Sequence, residues 1–176
     1  ELADWLVLRG CRKLLLSSSR GISKDYQLYR ITLWQSYGVK VMIDTSDITT
    51  KSGCQQIIQN AVKIGPVGGI FNLAMKLHDG IFENQTAETF IKCLAPKGHA
   101  TTYLDEISRI SCPVLKYFVV FSSVSCSRGF AGQTNYGMAN SIMERIVEKR
   151  HEAGLPAKAI QWGTIGEVGY LENKTV

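Results

Sequence analysis

Apolar positions along the chain alternate between two patterns. Short continuous apolar runs are each followed by a longer stretch in which apolar residues recur at helical spacing. Lys13–Ser17 is the first such run, and it ends in the turn Ser17-Ser18-Ser19-Arg20-Gly21. The periodicity predicts a helix over Lys24–Tyr37, with Leu28, Ile31, Trp34 and Tyr37 near one face and Gly38 as its stop. Val39–Ile43 predicts a second strand, closed by Asp44-Thr45-Ser46-Asp47. Thr50–Lys63 predicts a second helix, broken by Gly65-Pro66. Gly68–Ala74 is the next strand. Glu83–Cys93 and Ala100–Ile110 read as helices separated near Pro96. Leu115–Ser122, with Tyr117, Phe118, Val119, Val120 and Phe121, has the strongest strand character. A long helix is predicted from Thr134 to Ala153, stopped by Gly154 and Pro156. Ala157–Trp162 is a last strand, followed by Gly163.

Strands that are apolar throughout and alternate with helices imply a parallel sheet covered on both faces, an α/β doubly wound, Rossmann-like domain. Ligands in that architecture bind at the carboxyl ends of the strands. The search for chemistry therefore narrows to Ser17–Gly21, Asp47, Asn72–Ala74, Ser122–Ser125 and Trp162–Gly163.

Composition changes this picture only at its edges. A length of 176 residues suits one globular domain, and no repeat or linker divides it. There is no uncharged apolar stretch of roughly 18 residues, so no membrane span is expected. Glu1–Gly10 carries two acids and does not read as a signal peptide. The five cysteines are odd in number and form no CxxC pair, which points to free thiols in a reducing, cytoplasmic setting and to no metal site. The net charge of +5 is scattered without a basic run or an aromatic ladder. Nucleic acid is thereby disfavoured, while phosphorylated small molecules and acidic carrier proteins remain open as partners.

One constellation carries chemistry. Ser122, Ser123 and Ser125 end a strand in hydroxyls, and Tyr136 and Asn140 share a helix face one turn apart, with Met143 and Val147 continuing that face into the core. A tyrosine, whose pKa is ordinarily about 10, works as an acid or base near neutrality when a cation lowers that value. Lys97 is the candidate cation. Each of these residues also has a plainer reading: a strand-end serine satisfying backbone groups, an amphipathic tyrosine, a solvated lysine, a surface amide.

Taken in order, Asn72-Leu73-Ala74, Ala95-Pro96-Lys97, Val119 to Ser125, Gly132-Gln133-Thr134-Asn135-Tyr136-Gly137-Met138-Ala139-Asn140 and Ile160-Gln161-Trp162-Gly163 closely resemble the ketoreductase domain of animal fatty acid synthases, within the short-chain dehydrogenase/reductase superfamily. The likeness spans essentially the whole chain. It implies NADPH-dependent reduction of a β-ketoacyl thioester held on the phosphopantetheine of an acyl carrier protein domain. By position, Tyr136 would donate the proton, Ser123 would hydrogen-bond the carbonyl oxygen, Lys97 would stabilise the tyrosinate, and Asn140 would place a water or relay the proton. On the cofactor side the resemblance points to Ser18, Ser19 and Arg20 for the 2′-phosphate, Asp47 and Ile48 for the adenine, and Asn72, Ala74, Trp162 and Gly163 along the ribose and nicotinamide.

The sequence departs from that family in four places. Ser19 occupies the usual arginine position and Arg20 lies one residue later. Leu77-His78-Asp79 stands where related polyketide ketoreductases carry a Leu-Asp-Asp signature associated with a 3R alcohol, with its middle residue changed. Gly98-His99 follows Lys97 where an apolar residue is expected, and would perturb the helix that aims the lysine. Glu1–Trp5 reads as the inside of the family's first helix, so the first strand and its glycine-rich pyrophosphate turn are expected to be missing, and the substrate lid is expected to be cut near Glu172–Val176. These features read residues 1–176 as a partial ketoreductase domain of a larger, homodimeric multidomain synthase, weak in NADPH binding and activity when isolated. The alternatives are a catalytically degenerate or structural reductase-like module, and a free-standing reductase of small ketones.

Overall fold

The computed structural model describes residues 1–163. It contains seven α-helices and five strands among the described residues: α1 (Leu2–Leu8), β1 (Lys13–Ser17), α2 (Asp25–Ser36), β2 (Lys40–Asp44), α3 (Lys51–Ile64), β3 (Gly69–Asn72), α4 (Ala87–Leu94), α5 (Ala100–Ser111), β4 (Tyr117–Ser123), α6 (Ser125–Arg128), α7 (Thr134–Glu152) and β5 (Lys158–Trp162). The lid expected near Glu172–Val176 lies outside the described residues. Every strand pairing is parallel, as expected for the α/β class: β1 with β2 in one sheet, and β3-β4-β5 in a second.

The backbone groups into two compact units. The first comprises Glu1–Gly68 and Tyr103–Leu115; the second comprises Gly69–Thr102 and the chain from Lys116 onward. In the first, Val7, Leu14, Ile31, Trp34 and Val39 form a buried cluster against which Ala3, Leu6, Cys11, Leu16, Val41 and Ile43 pack. The indole N–H of Trp34 donates to the Asp4 carboxylate at 3.0 Å, and Arg30 pairs with the same group. Only Ile31 and Trp34 of the expected α2 face are buried; Leu28 is 53% exposed and Tyr37 56%. Steps of three residues slip about 60° per step on a helix of 3.6 residues per turn. Positions 28 to 37 at that spacing thus cover half its circumference, and the core takes only the middle two.

In the second unit, β4 carries the core through Phe118, Val120 and Ser122, which alternate inward, with Met143 and Val147 of α7 buried. Arg150 near the end of α7 is buried as well. Its guanidinium lies 4.1 Å from the centre of the Phe118 ring, and its Nε donates to the Pro156 carbonyl. All five cysteines are free thiols, three of them buried and two half-buried. Among the described residues no helix is long and apolar enough to cross a membrane, and no cluster of metal-binding side chains occurs.

Candidate active site

The largest departure from the expected secondary structure lies at Pro96. Instead of a break between two helices, Ala95–His99 forms a π-helical turn that joins α4 directly to α5. Proline brings no N–H to satisfy, and the wider turn removes the clash that would end an α-helix. Gly98 is not a perturbation of this turn. A Cβ built there would meet Ile142 of α7 at 3.1 Å, so the glycine is what lets the π turn lie this close to α7.

The π turn buries Lys97 to 2% exposure. Its ammonium donates to the Phe121 carbonyl at 2.8 Å and sits 5.2 Å from the centre of the Tyr136 ring. Burial pulls its pKa down from 10.5 to about 8, with the neighbouring Cys93 and Cys126 opposing that shift. Asn72, at the end of β3, anchors the turn from below. Its amide donates to the Pro96 carbonyl (3.2 Å) and to the Thr101 hydroxyl (3.0 Å), and its oxygen accepts from Ala74 N–H (3.0 Å). Asn72 and Ala74 are therefore engaged with protein atoms.

Tyr136 and Asn140 lie in the first turns of α7, as their spacing predicts. The Asn140 amide donates back to the Tyr136 carbonyl at 2.8 Å, while its side-chain oxygen is buried without a partner. Ser123 ends β4, and its hydroxyl oxygen accepts from both the N–H (3.2 Å) and the hydroxyl (2.9 Å) of Ser125, which leaves its own proton free to donate. The tyrosine does not follow the expected direction of pKa shift. Burial raises it above its ordinary value of 10, outweighing the hydrogen bonds of Asn140 and Ser123, and Cys93 and Asp79 push it the same way. Lys97, Ser123, Tyr136 and Asn140 come together within this unit.

Beneath Ser123 lies a network that sequence reasoning missed. The half-buried Glu144 carboxylate on α7 accepts from Ser122, from the Cys126 thiol (3.0 Å) and from the Gln161 amide (3.0 and 3.1 Å), tying the ends of β4 and β5 and helix α6 to α7. These bonds keep Glu144 below the ordinary carboxylate range despite its burial. The available signal was its position eight residues after Tyr136, two helical turns along the same face. Trp162 stacks on Phe121 at 5.5 Å between ring centres, and among the described residues nothing packs where a Gly163 side chain would be.

The candidate residues of the first unit are built differently. Ser18 N–H bonds to the Asp44 carbonyl, and Ser18, Ser19 and Arg20 are exposed in a turn closed by Gly21 N–H on the Ser18 carbonyl. The exposed Asp47 carboxylate accepts from the N–H (2.9 Å) and hydroxyl (2.7 Å) of Thr49, which lowers its pKa. The Ile48 carbonyl accepts from the Cys54 thiol at 3.1 Å.

Known proteins share this layout. Residues 1–167 match the family model described as the KR domain. The chain is 34% identical over 172 residues to the hybrid PKS-NRPS synthetase buaA of Petromyces alliaceus, covering 97% of the chain and 4% of that protein. It is also 34% identical to the highly reducing polyketide synthase calA of Penicillium decumbens, covering 99% of the chain and 6% of the relative. The chain thus spans about a twentieth of the length of these curated relatives. Among solved structures, an A-type ketoreductase from a modular polyketide synthase superposes with a TM-score of 0.90 at 27% identity, over 98% of this chain and 36% of that one. A bacillaene assembly-line ketoreductase domain gives 0.84 at 25%, over 98% and 44%. A match that runs from the first residue through the last described strand, on a shared backbone, makes this chain a member of the KR domain family.

Proposed function

We propose that the chain carries the reducing chemistry of an assembly-line synthase: reduction of a β-ketoacyl thioester on an acyl carrier protein to the β-hydroxyacyl thioester. The observation that carries this reading is the buried Lys97 ammonium 5.2 Å from the ring of Tyr136, with Ser123 beside the tyrosine. The Ser123 hydroxyl donates to the substrate carbonyl oxygen, Tyr136 gives that oxygen its proton, and the Lys97 ammonium stabilises the tyrosinate left behind. The Asn140 oxygen, buried and unpartnered, suits a water that returns a proton to Tyr136.

NADPH, when bound, supplies the hydride. The residues fit such a cofactor: the Phe121 carbonyl takes one of three Lys97 N–H donors, and those remaining suit ribose hydroxyls in a site where burial makes unused donors costly. Arg20, exposed in its turn, is the residue proposed for the 2′-phosphate, and Asp47 and Ile48 are those proposed to flank the adenine. Trp162 ends β5 and Gly163 follows it, with open space among the described residues where the glycine's side chain would be. Polyketide and hybrid peptide synthases among the relatives support a polyketide rather than a fatty acid as the product of the parent protein, which would act in the cytoplasm as part of a multidomain chain.

The complete gene product is expected to oxidise NADPH with an acetoacetyl thioester, and Tyr136→Phe to lose at least ~100-fold in kcat. Undiminished turnover in that variant rules out Tyr136 as the donor. An inactive wild type, with NADPH and thioester both bound, favours a structural module.

A further inference from the structure

The strand that ends in Ser123 begins at a recess. A cavity of about 230 Å³ opens at the amino ends of β4 and β5, where Lys116, Tyr117, His151, Pro156, Ala157 and Lys158 line it. A strand rises about 3.3 Å per residue, so the length of β4 from Tyr117 to Ser123 puts ~20 Å between this recess and the proposed chemistry. No residue is shared between the two sites.

One wall of the recess is pinned from behind. The loop after α7 is tied to the last turn of that helix at three successive residues. Leu155 N–H donates to the Arg150 carbonyl (2.8 Å), Arg150 Nε donates to the Pro156 carbonyl (3.1 Å), and His151 Nε2 stands 2.7 Å from the Ala157 carbonyl. A carbonyl only accepts, so His151 Nε2 carries the proton and the ring is held against the wall.

The lining carries charge of one sign. Lys116, Lys158 and His151 bring nitrogen donors, and no carboxylate lies among the lining residues. Both lysines are exposed, and among the described residues neither ammonium has an ion pair or hydrogen-bond partner. Cations gather at helix C-termini to complement the dipole, which accounts for Lys149, Arg150 and His151 in the last turn of α7. Lys116 precedes β4 and Lys158 opens β5, so the dipole does not account for these two.

We propose that this recess binds a phosphate monoester whose remaining body is small, flat and apolar. A phosphate monoester near neutral pH carries a charge of about −1.5 to −2 and three acceptor oxygens. The Lys116 and Lys158 ammoniums supply the donors for it, and the Tyr117 ring and Pro156 line the space left for the body. At ~30 Å³ per water the volume is that of about seven or eight waters, which limits the body to a single ring or a short chain. The proposal does not depend on the reaction assigned above.

The test is calorimetric titration of the complete gene product with phenyl phosphate, with excess NADP⁺ present to fill any nucleotide site. Replacing both lysines by methionine is expected to weaken binding ~100-fold, about tenfold for each charge-assisted hydrogen bond lost. Replacing both by arginine is expected to keep affinity within about threefold, because the donors and the charge remain. Tyr117→Ala is expected to weaken phenyl phosphate about fivefold while leaving inorganic phosphate unchanged. Thermal stability without ligand should match wild type in all three variants, since these side chains are exposed. Equal phenyl phosphate binding in the wild type and the double methionine variant overturns the proposal. So does a wild type that gives no binding heat, or one that takes succinate more tightly than phenyl phosphate.

Discussion

The two units of this chain handle polar groups in opposite ways. In the first, the residues proposed to meet the cofactor lie exposed and are satisfied locally: Asp47 by Thr49 two residues away, the Ser18–Gly21 turn by its own backbone. In the second, Asn72, Lys97, Ser122, Ser125, Asn135 and Asn140 are all buried at strand and helix ends. Buried polar groups cost stability unless every one finds a partner, but they cannot drift. On the proposed function, the contrast separates two tasks. Holding a charged, water-soluble cofactor tolerates small displacements, whereas delivering a proton to one oxygen does not.

Replacing Lys97 breaks the comparison most sharply. Its depressed pKa means that keeping it charged at neutral pH costs roughly 3 kcal/mol. Lys97→Met is expected to lose about 1000-fold in turnover while the ketoreductase transition gains about 1–3 kcal/mol in denaturant titration. The sign can be checked with pH. A lysine with a lowered folded-state pKa releases its proton more readily when folded, so stability rises between about 8 and 10.5. That rise should vanish in the methionine variant; equal pH profiles for the two proteins contradict the burial of a charged Lys97.

The first unit should be sensitive in its backbone rather than its charges. A Cβ on Gly53 of α3 would come within 1.9 Å of the Asp47 carbonyl. Gly53→Ala should therefore destabilise by about 3 kcal/mol, although alanine favours a helix by itself. Wild-type thermal stability in this variant would show that the Asp47 loop sits farther from α3. The smallest effect belongs to Arg20→Ala, expected to raise the KM for NADPH about tenfold with KM for NADH and stability unchanged. An equal change for both cofactors would remove Arg20 from the 2′-phosphate.

Much of this was legible in the residues because it is local. The i, i+4 spacing of Tyr136 and Asn140, the apolar strands and the serines that end β4 each follow from short stretches of sequence. The π turn was not, because proline ordinarily marks the end of a helix and nothing in Ala95–His99 announces the wider pitch. The direction of the Tyr136 shift was missed for a related reason: a nearby cation can be named from sequence, but desolvation depends on what covers the ring. Glu144 and Asn135 escaped notice because their partners lie far away in the chain, Gln161 on one side and His78 on the other. Such long-range bonds leave no periodic trace.

The π turn also bears on how this segment tolerates changes in length. One extra residue in a single helical turn advances every later side chain by about 100° relative to an uninterrupted α-helix. Removing one residue between Ala95 and His99 would restore an ordinary helix and swing Lys97 away from Tyr136. Between an aimed lysine and a misdirected one stands a single inserted codon.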